Sequence, residues 1–110
     1  MNVYDTVNKL AQEIKDSKEY NNYKMAKQVI NLKSDLKSKI DEFENARYEA
    51  QMLAIQTGKN DEEKIAKVQK LYVELLEDND AKNFLEAQTQ FNTLIADVNK
   101  IIGDSIKDVL

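Results

Sequence analysis

The apolar residues between Asn79 and Ile102 recur at alternating steps of three and four, the spacing that places side chains on one face of an α-helix. The members of this stripe are Phe84, Ala87, Phe91, Leu94, Val98 and Ile101. A second row beside it consists of Leu85, Ile95 and Ile102. Together the two rows are wider than one neighbouring helix would cover. The pattern predicts a long helix that contacts at least two others and organises the fold.

Apolar patterns with the same spacing predict four helices before this segment. The first spans about Val3–Asp16, and the hydroxyl of Ser17 is suited to cap a second helix that begins near Lys18. The pattern falters over residues 31–34, where Asn and Ser favour caps over helix interiors, so we expect a break or kink there. A third helix then runs to Thr57.

The third predicted helix, Ser34–Thr57, would be about 36 Å long, which exceeds what a compact domain of this size needs. Its seam consists of Leu36, Ile40, Phe43, Ala50 and Ala54. We therefore expect another segment to pack along its far end. Gly58 is suited to end it in a left-handed conformation, and Asn60 or Asp61 is suited to cap the fourth helix. The acidic cluster over 77–80 is suited to end the fourth helix and cap the fifth.

The fourth helix has a predicted buried face made of Ile65, Val68, Leu71, Tyr72, Leu75 and Leu76. At the end of the fifth, we expect Gly103 to loosen the helix. The tail beyond it carries Ile106, Val109 and Leu110. The sequence leaves two alternatives for this apolar tail, which either frays or docks on a second subunit.

The composition is that of an all-α protein, because the chain has no Pro, only two Gly, and charges on 33% of its 110 residues. We predict a single helical domain over residues 1–110, an antiparallel bundle of about five helices with long central and C-terminal helices. The residues expected to matter most for this structure are Phe84, Phe91, Leu94, Val98, Ile101, Ile40 and Phe43. None of them is predicted to be a functional-site residue.

The absence of Cys and His excludes disulfides, thiolate ligands, Cys nucleophiles and the commonest general base. No catalytic, cofactor-binding or metal-binding residue is predicted, no cofactor is expected, and we expect a protein that is not an enzyme. The N-terminal segment lacks the apolar core of a signal peptide, and no run of about twenty apolar residues occurs. We therefore expect a cytoplasmic protein.

A net charge of -4 argues against a role in coating nucleic acids. The lysines of one locally basic segment, which could meet RNA phosphates, are Lys24, Lys27, Lys33, Lys37 and Lys39. Tyr20 and Tyr23 could form a stacking platform, although aromatic residues at helical spacing are more often core or interface. Arg47 interrupts the apolar seam of the third helix. It either reaches a carboxylate at an interface or is an exposed member of a discontinuous seam.

The acidic residues of the third helix straddle several faces, which favours a solvated surface over a metal site. They are Asp41, Glu42, Glu44 and Glu49. The denser acidic cluster from Glu74 to Asp80 lacks the alternating oxygen ligands and Gly of a calcium loop, so capping explains it better.

Several short motifs together resemble the YlbF/YmcA family of small helical bacterial proteins, most closely its YheA-like branch. They are Val3-Tyr4-Asp5, Leu10, Ile14 through Tyr20, Tyr23-Lys24-x-Ala26, Ile40-Asp41-Glu42-Phe43, Gln51, Gln56-Thr57-Gly58-Lys59, Phe84-Leu85-x-Ala87-x-x-x-Phe91-Asn92 and Asn99-Lys100-Ile101-Ile102. The resemblance covers almost the whole chain. It implies an all-helical cytoplasmic protein that self-associates through long antiparallel helices.

The resemblance also implies a regulator without enzymatic activity. Characterised relatives join a partner protein in a complex that influences an endoribonuclease, RNA processing, and developmental programmes such as competence, biofilm formation and sporulation. Those relatives hold iron–sulfur clusters through cysteines, and this chain has none, so cluster binding is not expected here. We expect a homodimer or larger homo-oligomer that acts through protein partners. The alternatives are an RNA-binding accessory protein and a small-ligand carrier.

Overall fold

The computed structural model describes residues 2–110 and is all-α, as the sequence predicts. This range contains five α-helices and a short 3₁₀ helix, with no strand. The helices are α1 (Val3–Asp16), α2 (Lys18–Asn31), α3 (Ser34–Thr57), α4 (Glu62–Leu76) and α5 (Asn79–Ile106), and the 3₁₀ helix is Lys107–Val109. The predicted breaks after Asp16, Asn31, Thr57 and Leu76 are confirmed.

Side-chain oxygens cap the helix starts where the sequence predicts them. The Ser17 hydroxyl accepts a hydrogen bond from the Tyr20 amide at 3.1 Å, and the Asp61 carboxylate accepts one from the Lys64 amide at 3.0 Å. The Asp78 carboxylate accepts from two amides at the start of α5, at 2.9 and 3.0 Å. Each bond satisfies a backbone donor that the first helical turn leaves without an intrahelical acceptor.

Gly58 and Gly103 behave differently because their backbones differ. Gly58 has φ +73° and donates its amide hydrogen to the Ala54 carbonyl at 2.8 Å, so it ends α3 in the predicted left-handed conformation. Gly103 lies inside α5, which continues to Ile106. The predicted end of this helix near Ile102 is wrong, because one glycine costs only about 1 kcal/mol in a helix interior.

The chain divides into two compact units. The first unit comprises the described residues up to Lys27 together with Phe84–Leu110, and the second comprises Gln28–Asn83. Both α2 and α5 therefore contribute one part of their length to each unit.

In the second unit α3 and α4 form an antiparallel pair. Near the middle of α3 the Phe43 ring lies 5.8 Å from the Tyr72 ring, and farther along α3 Glu49 lies 3.9 Å from Lys64, which is earlier in α4. The expectation that another segment packs along the far end of α3 is thus confirmed. The buried residues of this unit are Ile30, Leu36, Ile40, Phe43, Ala46, Leu75 and Ala81.

In the first unit residues 18–27 of α2 run antiparallel to α5. Tyr20 contacts Phe91 with ring centroids 6.0 Å apart, and Tyr23, one turn later in α2, contacts Phe84 at 5.6 Å, two turns earlier in α5. The buried residues of this unit are Ala26, Phe84, Leu85 and Ala87. Phe91, Leu94 and Val98 follow along α5 and are half-buried.

Three predicted apolar faces are less buried than the sequence indicates. Ile101 closes the predicted α5 stripe, yet it is 70% exposed, so its assignment to the core is wrong. Helix α1 has no buried residue, although Leu10 and Ile14 are half-buried. On α4, Tyr72 is 43% exposed while its ring contacts Phe43. Apolar spacing identifies a helix face but does not specify whether the same chain covers it.

The two glycines offer a matched test of backbone geometry. A Cβ added to either would meet no atom within 4 Å, so packing does not distinguish them. We expect Gly58→Ala to lower the free energy of unfolding by about 1 kcal/mol, because alanine is strained at positive φ. Gly103→Ala should raise it by about 1 kcal/mol through helix propensity. Urea denaturation followed by circular dichroism measures both, and equal shifts of the same sign would contradict this account.

Candidate interaction surface

Tyr20 and Tyr23 belong to an aromatic cluster in the first unit and do not form an open stacking platform. The Tyr23 ring lies 5.6 Å from both Phe84 and Phe91, and the Tyr20 ring meets Phe91 edge-on at 6.0 Å. The Gln88 amide donates a hydrogen bond to the Tyr23 hydroxyl at 3.2 Å. Their ring contacts with α5 favour the core-or-interface interpretation, and both tyrosines are half-buried.

Three lysines of the locally basic segment contact groups of this chain. The Lys27 ammonium lies 5.5 Å from the centre of the Tyr23 ring, Lys33 pairs with Asp80, and Lys37 lies 3.3 Å from Asp41. These contacts place two carboxylates beside the lysines, which reduces the positive potential that a phosphate backbone would meet.

The hydrogen bond with Asp80 raises the pKa of Lys33 above its ordinary value, and the negative charge of that carboxylate adds to the shift. A raised lysine pKa means that the folded state holds the proton more tightly than the unfolded state does. Any stabilisation from this exposed pair is thus fully present below the ordinary lysine pKa and is lost as the pH rises through the raised value. The pair links the start of α3 to the start of α5 within the second unit.

Arg47 is exposed and lies over an aromatic ring of its own helix. Its guanidinium carbon is 5.2 Å from the centre of the Phe43 ring, one turn earlier in α3. This geometry corresponds to the second sequence-based alternative, an exposed member of a discontinuous seam. The planar cation covers one face of a core aromatic residue and keeps its charge in water.

The acidic clusters act at helix termini and in ion pairs. Asp78 caps α5, Asp80 pairs with Lys33, and Asp41 pairs with Lys37. Across residues 2–110 no group of three or more Asp and Glu side chains is arranged to hold a metal ion. The capping interpretation of the cluster that precedes α5 is confirmed.

A groove of about 420 Å³ lies between α2 and α5 in the first unit. Its lining residues are Lys18, Glu19, Thr89, Gln90, Thr93, Leu94 and Asp97. Most of these side chains are polar, and the groove is open to solvent. Small-molecule sites are typically enclosed and predominantly apolar, so this groove does not resemble one.

The most distinctive surface feature of the first unit is a set of exposed apolar side chains at the start of α1 and the end of α5, which we call the terminal apolar surface. Its members are Val3, Tyr4, Val7, Ile101, Ile102, Ile106, Val109 and Leu110. Their exposed fractions range from 44% for Ile106 to 88% for Leu110. Groups of exposed apolar residues on one unit are candidates for interaction sites.

The second unit also carries exposed apolar residues that the sequence analysis did not single out. Tyr48 and Ile55 on α3 are 62% and 67% exposed, and Val73 on α4 is 58% exposed. The sequence did carry a sign of these exposed residues. Each is apolar at a position beside a predicted buried face, where a polar residue would be expected. Among the described helices none is long and apolar enough to cross a lipid bilayer.

Comparison with known proteins gives a consistent assignment. Residues 3–107 match the family model described as "Control of competence regulator ComK, YlbF/YmcA". A UPF0342 protein of Desulfitobacterium hafniense is 35% identical over 115 residues, covering 100% of this chain and 89% of the relative. A UPF0342 protein of Symbiobacterium thermophilum is 31% identical over 104 residues, covering 94% and 93%. The chain belongs to the YlbF/YmcA family.

This YlbF/YmcA-family assignment confirms the resemblance derived from the short motifs, while placement in the YheA-like branch stays a prediction. The family description is regulatory, because it names control of a competence regulator. Neither that description nor the relatives' names indicate a catalytic activity. The matched range includes the aromatic cluster and most of the terminal apolar surface.

The aromatic cluster of this YlbF/YmcA-family protein allows a graded stability test. Phe84 is 4% exposed, so we expect Phe84→Ala to lower the free energy of unfolding by about 3 kcal/mol or more through a cavity. Tyr23→Phe keeps the ring contacts and removes only the hydroxyl bonded by Gln88, which should cost about 1 kcal/mol. Chemical denaturation measures both values. A larger loss for Tyr23→Phe than for Phe84→Ala would contradict the assignment of this cluster as apolar core.

Proposed function

We propose that this YlbF/YmcA-family protein is a non-catalytic cytoplasmic regulator, folded as one helical domain, that works as a homodimer or larger homo-oligomer and acts through protein partners. The observation that carries the proposal is the terminal apolar surface. It leaves eight apolar side chains between 44% and 88% exposed at the start of α1 and near the C-terminus of α5 in the first unit. A second protein surface would remove these side chains from water.

The magnitude of this burial indicates how much of the surface must be covered. Completing the burial of a half-exposed aliphatic side chain contributes about 1 to 2 kcal/mol, so the eight on each copy together contribute roughly 10 kcal/mol. Association itself costs roughly 4 to 15 kcal/mol in lost translational and rotational freedom. In a dimer both copies contribute, so full coverage gives roughly 20 kcal/mol, and coverage of about half the surface still matches the middle of that cost.

The regulatory part of the proposal is supported by the family description and by the chemistry of the remaining surface. That surface offers the exposed apolar residues Tyr48, Ile55 and Val73 on α3 and α4 for a second kind of protein contact. We infer that such contacts modulate RNA processing or a developmental programme, as control of a competence regulator would.

Self-association is tested by sedimentation velocity on the purified chain. At micromolar concentration we expect a mass at least twice the 12.7 kDa of one chain. The double variant Val3→Asp with Val7→Asp should shift the protein toward monomer, because both side chains are more than half exposed and would bring charge into the interface.

The control is Leu32→Asp, which introduces one negative charge, against two in the double variant, at an 86% exposed apolar position of the second unit. It should leave the sedimentation coefficient unchanged. Circular dichroism confirms that all three proteins retain their helical content. A monomeric wild-type protein, or equal dissociation of the control, would contradict the proposed self-association through the terminal apolar surface.

The regulatory role is tested in the source bacterium by deleting the gene and measuring transcript abundance across the genome. We expect altered levels of a defined set of regulatory transcripts, restored by the wild-type gene and by the Leu32→Asp control. The Val3→Asp with Val7→Asp variant should fail to restore them when it is present at equal protein level. An unchanged transcript profile in the deletion strain would count against regulation.

A further inference from the structure

The groove between α2 and α5 in the first unit has no role in the self-association proposed above. It has a volume of about 420 Å³ and is open to solvent. Its α5 wall includes Gln90, Thr93 and Asp97, which follow one another at steps of three and four and therefore share one face of the helix. Lys18 and Glu19, the first two residues of α2, form the opposite wall. We call this feature the α2–α5 groove.

The α5 wall belongs to a stretch of the sequence without charge. Residues 87–96 contain no charged side chain, although 33% of the chain is charged and about three would be expected among ten residues. Thr89, Gln90, Asn92 and Thr93 are nevertheless exposed. Thr and Asn are poorer helix formers than Lys and Glu, so helix stability does not account for them. Their hydrogen-bonding groups favour a contact surface over a merely solvated face.

The two carboxylates of the groove have no partner within the described chain. Residues 2–110 place no Lys or Arg nitrogen within 4.0 Å of Glu19 or Asp97, and neither carboxylate accepts a hydrogen bond. By contrast, Asp41 and Asp80 on other helices each pair with a lysine. Glu19 and Asp97 therefore keep their full acceptor capacity for another molecule.

Thr89 adds a third group that only accepts hydrogen bonds. Its hydroxyl donates its hydrogen to the Leu85 carbonyl at 2.9 Å, so the oxygen offers lone pairs to the groove and no hydrogen. With the carboxylates of Glu19 and Asp97, the lining has three acceptor-only groups and one donor-only group, the Lys18 ammonium. The remaining polar side chains of the lining both donate and accept. The groove is thus suited to a positively charged ligand that is rich in hydrogen-bond donors.

We propose that the α2–α5 groove binds an arginine side chain of a partner protein. This proposal rests on the proposed function, in which the chain acts through protein partners, and it names the chemistry by which one partner is recognised. A guanidinium carries five N–H donors and no acceptor, and its planar fork bonds to carboxylates on two sides at once. Glu19 and Asp97 belong to different helices, so they reach such a ligand from the two walls of the groove.

The shape and lining of the groove favour arginine over lysine and a partner protein over a free molecule. A lysine ammonium is a compact, strongly hydrated charge with only three donors. Leu94 is half-buried in the lining, and the aliphatic stem of an arginine packs well against an apolar side chain. An open groove leaves much of a small ligand in water, whereas a partner protein adds contacts outside the groove.

Lys18 opposes a bound cation and makes the proposal sensitive to the sign of the ligand charge. Its ammonium and the positive end of the α2 dipole lie at the groove, against the two negative charges of Glu19 and Asp97. Lys18 is exposed, so its long side chain can turn toward solvent when a cation binds. Removing its charge should therefore strengthen the binding of arginine, whereas the same change would weaken the binding of an anion.

An NMR titration of the isotope-labelled full chain tests the site, with N-acetyl-arginine amide as the probe. The blocked termini leave the guanidinium as its only charge. We expect saturable shifts of the amide signals of residues 89–97, with a Kd of roughly a few millimolar for a ligand of this size in an open groove. The citrulline analogue, which has nearly the same shape but no charge, should bind at least about 5-fold more weakly. The lysine analogue should also bind more weakly than the arginine probe.

Four charge-neutralising variants locate the site. Asp97→Asn and Glu19→Gln should each weaken binding of the arginine probe by about 5-fold, and Lys18→Gln should strengthen it by about 2-fold. The matched control is Asp108→Asn, the same substitution at an exposed position of the first unit outside the groove lining. It should leave the affinity unchanged. Circular dichroism establishes that all four variants keep the wild-type helical content.

The partner is tested in the strain that lacks the gene. Asp97→Asn should fail to restore the transcript levels that Asp108→Asn restores at equal protein level. Restoration by both variants would overturn a partner contact in the groove. Sedimentation velocity should give the wild-type result for Asp97→Asn. Dissociation of this variant would assign the groove to the contact between copies and would also overturn the proposal.

The outcomes of the titration separate this inference from the proposed function. The arginine site is overturned by the absence of saturable shifts, by an equal response to the citrulline analogue, or by weaker binding to Lys18→Gln. Equal weakening by Asp97→Asn and Asp108→Asn overturns it as well, and so does much tighter binding of unblocked arginine, which would indicate a free amino acid as the ligand. Each of these results leaves self-association and regulation standing, whereas an unchanged transcript profile in the deletion strain counts against regulation whatever the titration gives.

Discussion

The apolar stripe of α5 extends beyond the part of the chain that packs against it, and much of this structure depends on that mismatch. Phe84, Leu85 and Ala87 are buried, Phe91 and Val98 are half-buried, and Ile101 is exposed. Burial thus declines along one continuous helix while its apolar character persists. Each helical turn that carries apolar residues needs a partner surface if those residues are to be kept out of water. The described chain covers the final turns of α5 only in part, since Ile102 and Ile106 stay 48% and 44% exposed, and the start of α1 also keeps exposed apolar residues.

Short-range interactions set how the other helices end and which helices pair. The left-handed backbone of Gly58 ends α3, and Asp61 caps α4 three residues later, so α3 and α4 are constrained to pair antiparallel. In the first unit Tyr23 contacts two phenylalanines of α5 and accepts a hydrogen bond from Gln88, which sets the alignment of α2 with α5. These pairings use the apolar residues near the middle of each helix and leave the helix ends open.

Helix boundaries were predictable because they depend on nearby residues. Ser17, Gly58 and Asp61 act through hydrogen bonds to amides or carbonyls within four residues, and these positions are readable in a single sequence. Gly103 shows the limit of predicting helix ends from single residues, because one unfavourable residue does not outweigh the helical turns on both sides of it. Burial was harder to predict because it depends on residues distant in sequence. The spacing of Ile101 and Val7 correctly identifies an apolar face but does not specify which surface covers it.

The candidate surface was less predictable than the fold because the exposure of a side chain depends on packing between residues that are distant in sequence. The motifs identified the family, whereas the terminal apolar surface emerged only once exposure was known. Arg47 illustrates the same point, since its place over Phe43 could not be separated from an interfacial ion pair by spacing alone.

The most direct test of the central claim, that a second copy covers the exposed end of α5, is amide hydrogen exchange measured across a range of protein concentrations. The account predicts that amides between Val98 and Ile106 become progressively protected as concentration rises from nanomolar to micromolar, while those at the Gly58 turn do not change. Rapid exchange between Val98 and Ile106 that is the same at every concentration would contradict it.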